Sequence, residues 1–249
     1  MEGASFWIAA LAVALAACAQ GMTGFGFSVV CVPVLLAVLS PSTVVVVALL
    51  LSLGLTLSLL PGAPSKVRLN RTWPLFAFSL LGAALGGWLL PRVGEAAWLK
   101  PAMGAAAFLG GLGVLVSAKR AAFRRERTAL AVTGVVSGLM NSLASLSGPP
   151  AAIIAVRQRW EAADARKTLL AYSLFVNAAA LLALAPSGLL DGPRLRLALL
   201  LVPAVAMGRM LGNAGRRRLP AHRFRYAALG LVLFCGVASA AEALAAAAK

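Results

Sequence analysis

A chain of 249 residues that is 61% hydrophobic, with a mean hydropathy of +0.91, carries more apolar surface than a soluble core of that size can hide. Its formal charge of +16 does not mark a nucleic-acid binder, because the 23 Lys and Arg stand in short clusters between apolar runs and not across a folded polar face. Cys18, Cys31 and Cys235 lie inside apolar segments without CxxC spacing, which argues against a disulfide framework and against a metal site.

Residues 5–60, 75–91, 128–156 and 168–190 contain no charged side chain. A charge at a bilayer centre costs at least about 2.5 kcal/mol, so these runs predict an all-α polytopic membrane protein. Met1-Glu2 offers no basic n-region, so no cleaved leader is expected.

In chain order, the apolar segment at 5–39 is too long for one crossing and is broken at 21–27; spans at 42–60, 74–91 and 97–118 follow. A second broken segment at 128–157, interrupted at 145–150, leads into spans at 168–190, 194–212 and 225–246. Each flank of a break is about 16 residues, a rise of roughly 24 Å against a core of about 30 Å, so both segments read as hairpins that enter and leave on one side. Full crossing and partial re-entry both remain open, with the same parity.

The basic clusters between spans hold Lys66, Arg68 and Arg71; Lys119, Arg120, Arg124, Arg125 and Arg127; Arg157, Arg159, Arg166 and Lys167; and Arg209, Arg216, Arg217, Arg218, Arg223 and Arg225. These are eighteen of the 23 basic residues, and the positive-inside rule places all four clusters in the cytoplasm of a cell (inner) membrane protein with both termini outside. Trp7, Trp73, Trp88, Trp98 and Trp160 fall near segment ends, as an interfacial belt requires.

Gly21 and Pro33 recur as Gly138 and Pro150 at an offset of 117; Thr43 recurs as Thr168 at 125; and Gly82-x3-Gly86 recurs as Gly208-x3-Gly212 at 126. A hairpin plus three spans is an odd unit, so two tandem copies, 1–120 and 128–249, are predicted as inverted repeats within one membrane domain. The Gly-x3-Gly pairs themselves read as close helix packing, and the glycine-rich face at 82–87 would permit a homodimer.

Thr23, Gly24, Phe25, Gly26 and Ser28 form the first break; Asn141, Ser145, Ser147, Gly148 and Pro149 surround the second. Glycine loosens the backbone and proline suits a first helical turn, so each break predicts a helix N-terminus inside the membrane. Two such ends facing one another would hold a small anion without Arg or Lys. Asn177 and Gln20 lie in charge-free spans and either line this path or bridge helices, while Arg166 reads as an anchor capping the next helix. All seven carboxylates fall in loops or at the ends, no catalytic, metal or cofactor motif is present, and an enzyme is not expected.

On these residues the chain resembles the sulfite exporter TauE/SafE family of bacterial membrane proteins. The likeness rests on Gly21, Gly24, Gly26, Pro33 and Leu35 in the first half, and on Gly138, Gly148, Pro149, Arg166 and Thr168 in the second. It departs from the family pattern at Gly24-Phe25-Gly26-Phe27, where more glycines are usual, and at Lys167, where a small residue is usual. The resemblance implies export of small anions such as sulfite, sulfonates or related organic acids. A passive pore for a neutral solute and a membrane scaffold without transport are the rival readings.

Overall fold

The computed structural model describes residues 3–63, 67–117 and 119–218, and their regular structure is helical. In order these are α1 (Gly3–Thr23), α2 (Phe27–Leu36), α3 (Pro41–Leu59), α4 (Leu69–Val93), α5 (Leu99–Ser117), α6 (Glu126–Ala144), α7 (Gly148–Arg157), α8 (Ala162–Leu184), continued by a 3-10 turn at Ala185–Ser187, and α9 (Gly192–Arg218). Among the described residues, α1, α3, α4, α5, α8 with its turn, and α9 are long and apolar enough to cross a membrane. The expected spans at 42–60, 74–91, 97–118, 168–190 and 194–212 correspond to α3, α4, α5, α8 and α9; the span at 225–246 lies outside the described residues. Helix α8 begins at Ala162, earlier than expected, because Asp164, Arg166 and Lys167 sit where charges still find partners.

Both hairpins exist, with unequal arms. The expectation of two flanks of about 16 residues is corrected to 21 and 10 residues in the first hairpin and 19 and 10 in the second. At 1.5 Å per residue, α1 rises about 31 Å and α2 only about 15 Å, so one arm is long enough to cross and the other reaches halfway. The first break comes later than expected because Gly21 stays helical and the left-handed Gly24 ends the arm; the second begins where expected, at the left-handed Ser145.

Helix α3 lies at the centre, its Val44, Val45, Val46 and Val47 fully buried, and it packs on α2, α8 and α9. It runs antiparallel to α8: Ala63 lies beside Lys167 and Ser52 beside Asn177. The first three basic clusters gather at one end of the bundle, tied by Arg68 to Asp164, Arg71 to Glu126 at 2.7 Å, Arg157 to the carbonyl of Ala121 and Lys167 to that of Ala63. At the other end Arg194 bonds Thr43, Leu189 and Asp191, and Glu95 accepts from Ser42. Trp7, Trp73, Trp88 and Trp98 are at least half exposed, as a belt residue should be; Trp160 is instead partly covered, with Arg71 5.8 Å above its ring.

The two tightest helix pairs are α4 with α6 and α1 with α9. Both are parallel pairs seated on glycine. A Cβ on Gly138 would strike the carbonyl of Ser79 and come within 2.9 Å of Ala83 N; one on Gly212 would come within 2.7 Å of the Cys18 carbonyl. Gly82 and Gly86 press on Val135, Leu139 and Ser142, and Gly87 on Ala183, so the face expected to permit dimers is taken within the chain. Gly138→Ala should therefore destabilise the protein by about 1–3 kcal/mol, as overpacking does. Gly54→Ala, at an exposed position of α3 where the Cβ meets nothing within 4 Å, should be neutral or stabilising by up to about 1 kcal/mol. Thermal melting of the two variants in detergent, followed by size-exclusion, checks the contrast.

Candidate functional site

The first break is built by two left-handed glycines, Gly24 at φ 86° and Gly26 at φ 99°. Thr23 Oγ1 shares its proton between the carbonyls of Ala19 and Phe25 and accepts the Phe25 N–H at 3.3 Å, so this hydroxyl is spent on holding the turn. In the second break Ser145 takes the left-handed conformation at φ 56°, donating its N–H to the Asn141 carbonyl at 2.7 Å, while Leu146 N reaches back to Met140. That closes the end of α6 in the manner usual for a glycine.

The two breaks meet. Ser28 Oγ and Ser145 Oγ are 3.1 Å apart and buried, and a Cβ on Gly148 would lie 3.5 Å from Phe25 Cβ and 3.6 Å from Gly26 N. The N-terminal ends of α2 and α7 thus face each other, and neither Gly26 nor Ser147 caps its helix with a side chain. First-turn amides have no acceptor within their own helix, and each helix end carries about half a positive charge. The two ends differ in one respect: α2 offers the amides of Phe27, Ser28 and Val29, whereas Pro149 and Pro150 deprive α7 of two donors. Pro33, by contrast, lies in the interior of α2.

Between the ends is a small cavity of about 10 Å³, whose wall includes Gly26, Ser28, Ser147, Gly148 and Pro149 among the expected residues. A space of that size holds about one water. Ser52 is the twelfth of 19 residues in α3 and Ser173 the twelfth of 23 in α8, so the cavity lies near the middle of both helices. Ser52, Ser173 and Gln20 complete the wall. Ser52 was detectable in the sequence, since it stands at the repeat offset of 125 from Asn177; Ser173 had no signal beyond being a hydroxyl in a charge-free run.

Asn141 and Asn177 adjoin this wall through hydrogen bonds. Asn141 Nδ2 donates to Asn177 Oδ1 at 3.0 Å and to the Val176 carbonyl, and Asn177 Nδ2 donates to Ser52 Oγ at 3.0 Å. Asn141 Oδ1 is buried with no hydrogen-bond partner among the described residues. On the other flank Tyr172 donates to Ser137, which donates to the Ser147 carbonyl at 2.9 Å. Gln20 bridges to Thr56 at 2.7 Å, so it both spans helices and lines the cavity.

Among the described residues no acidic or basic side chain lines this cavity. Arg166 is close by but belongs to the backbone: its Nη2 donates to the Gly21 carbonyl at 3.0 Å, and its stem lies where a Gly24 side chain would be. The expectation that it caps the next helix is corrected; it caps the far end of α1, placing its charge on the negative end of that helix.

A family model described as Sulfite exporter TauE/SafE matches residues 9–239. No curated protein and no solved structure matches the chain. Nearly the whole chain is covered, and it belongs to the sulfite exporter TauE/SafE family of membrane transporters, which are permeases and not enzymes.

Proposed function

We propose that the protein exports a small oxyanion, of the sulfite, sulfonate or organic-acid class, by binding it between the facing N-termini of α2 and α7. The observation that carries this reading is the junction itself: two uncapped helix ends brought together across a Ser28–Ser145 contact, with no charged side chain among the described residues of the wall. Backbone amides and serine hydroxyls can satisfy an anion's lone pairs there, and the aligned helix ends supply positive potential that is not tied to any proton. The cavity has room for about one water, so loading a larger anion requires the ends to separate.

The two halves, 1–120 and 128–249, act in this reading as inverted repeats that open the site to alternate sides. Two contacts support it. Ser28 and Ser145 are 117 residues apart and Ser52 and Asn177 are 125 apart, the offsets of the sequence repeat, and each pair is hydrogen-bonded. Repeat-equivalent residues touch only where a two-fold axis passes. The packing is reciprocal as well: α4 lies on α6, and its counterpart α9 lies on α1, the counterpart of α6. The end carrying the basic loops is assigned to the cytoplasm of the inner membrane, with both termini outside.

An inside-negative potential favours anion exit by about 2.3 kcal/mol per charge per 100 mV, without a coupling ion. In proteoliposomes holding the purified chain, sulfite efflux should saturate and should follow the sign of an imposed potential; no anion flux at either polarity would sink the reading. Gly148→Leu should abolish that efflux while leaving membrane insertion and the detergent elution profile unchanged. Gly148→Ala, whose added carbon makes only ordinary contacts, should retain it.

A further inference from the structure

At the basic end of the bundle, away from the helix breaks, lies a second cavity of about 240 Å³. It is bounded by the start of α4, the end of α7 and the start of α8, with Arg68, Arg71, Thr72, Arg159, Trp160 and Thr168 in its wall. Three guanidiniums face two carboxylates there, Glu161 and Asp164. Arg68 is engaged by Asp164 and Arg71 by Glu126, which leaves Arg159, exposed and with no side-chain hydrogen bond or ion pair among the described residues.

The backbone at Arg159 adds a second, independent observation. It sits at φ 51°, just past the end of α7, with its N–H on the Val156 carbonyl and the following Trp160 N–H on the Ala155 carbonyl at 3.0 Å. This is the helix-ending turn that glycine fills by default, since glycine alone enters the left-handed region without steric cost. A chain with 24 glycines places an arginine here instead, and its guanidinium lines a cavity. A residue kept against its backbone preference points to a task for its side chain.

We propose that this cavity is a binding site for a small oxyanion, grasped by the Arg159 guanidinium with help from Arg68 and Arg71, and that it receives the substrate before the breaks do. A guanidinium presents paired N–H donors that match two oxygens of a sulfite, sulfonate or carboxylate head, and the almost fully buried hydroxyl of Thr168 stands behind it as a further donor, that of Thr72 being spent on the Arg68 carbonyl. The volume admits a small anion with its water and no bulky tail. An anion here also competes with Asp164 and Glu126 for Arg68 and Arg71, the ion pairs that tie α4 to α8 and α6. The binding site stands on the cavity alone; the hand-on role rests on the transport reading above.

The test uses sulfite and the purified full chain in detergent, read by the fluorescence of Trp160, isolated as the difference from Trp160→Phe. Arg159→Gly is the informative variant because it removes the guanidinium while relaxing the backbone, so its melting temperature should equal or exceed wild type. Saturable titration in wild type, with half-saturation raised about tenfold in Arg159→Gly and less in Arg159→Lys, is expected from the loss of a charge-assisted hydrogen bond. Titrations that superimpose for wild type and Arg159→Gly would overturn the site. Repeating the titration with phosphatidylglycerol present separates the sources of the oxyanion: competition by the lipid would keep the site, assign it to a headgroup and overturn the hand-on role. In proteoliposomes the concentration of sulfite giving half-maximal efflux should rise in parallel with the binding constant. Absence of efflux from wild type, with Arg159-dependent binding intact, would remove the transport reading and leave the site standing.

Discussion

A helix interrupted inside a bilayer must satisfy its freed backbone groups within the protein, because hydrocarbon offers them no partner. That constraint organises this molecule. Two interruptions could each have been closed locally, but here both are laid against one another and walled by α3 and α8, so that the amides of one end and the hydroxyls of the other occupy the same small space. Thr23 and Ser145 close the first arms through local hydrogen bonds, and Arg166 closes α1 from the opposite half of the sequence. What is left uncapped is the pair of N-terminal ends, and those are the groups an anion can use.

The second requirement is closeness. Buried polar groups reach each other across helices only if the backbones approach, and the glycines of α4, α6 and α9 permit that approach. Asn141, Asn177 and Ser52 then form a continuous chain of hydrogen bonds between α6, α8 and α3 at the depth of the cavity. The bundle is therefore held by carbonyl-to-glycine contacts and by a few buried amides, with ion pairs kept to its two ends.

Much of this was legible in the sequence because a bilayer punishes charge so heavily: the spans follow from where Lys, Arg, Asp and Glu are missing, and the breaks follow from Gly24, Gly26 and the Gly148-Pro149 step. The unequal arms were not legible. Gly21 looks like a break residue, yet it stays helical beside Gly212, and composition cannot say whether a glycine bends a helix or admits a neighbour. Arg166 was misread for a related reason, since its acceptor lies 145 residues away in another helix. The start of α8 was placed too late because a charge near an interface ends an apolar run without ending a helix. Ser173 and the whole cavity around Arg159 depend on how three helix ends converge, which no local pattern encodes.

The pairing of α1 with α9 also sets an order in time. Ala14, Cys18 and Gly21 find their counterparts only at Gly208 and Gly212, close to the end of the described chain, whereas α4 meets α6 after a far shorter stretch. At a synthesis rate of about 5–20 residues per second, α1 waits roughly 10 to 40 s in the membrane with its small-residue face uncovered. The α4–α6 pair can form first and act as the template, and α9 joins later, so a ribosome that stalls before Gly208 leaves behind a chain whose first helix rests on α2 and α3 alone, its small-residue face uncovered.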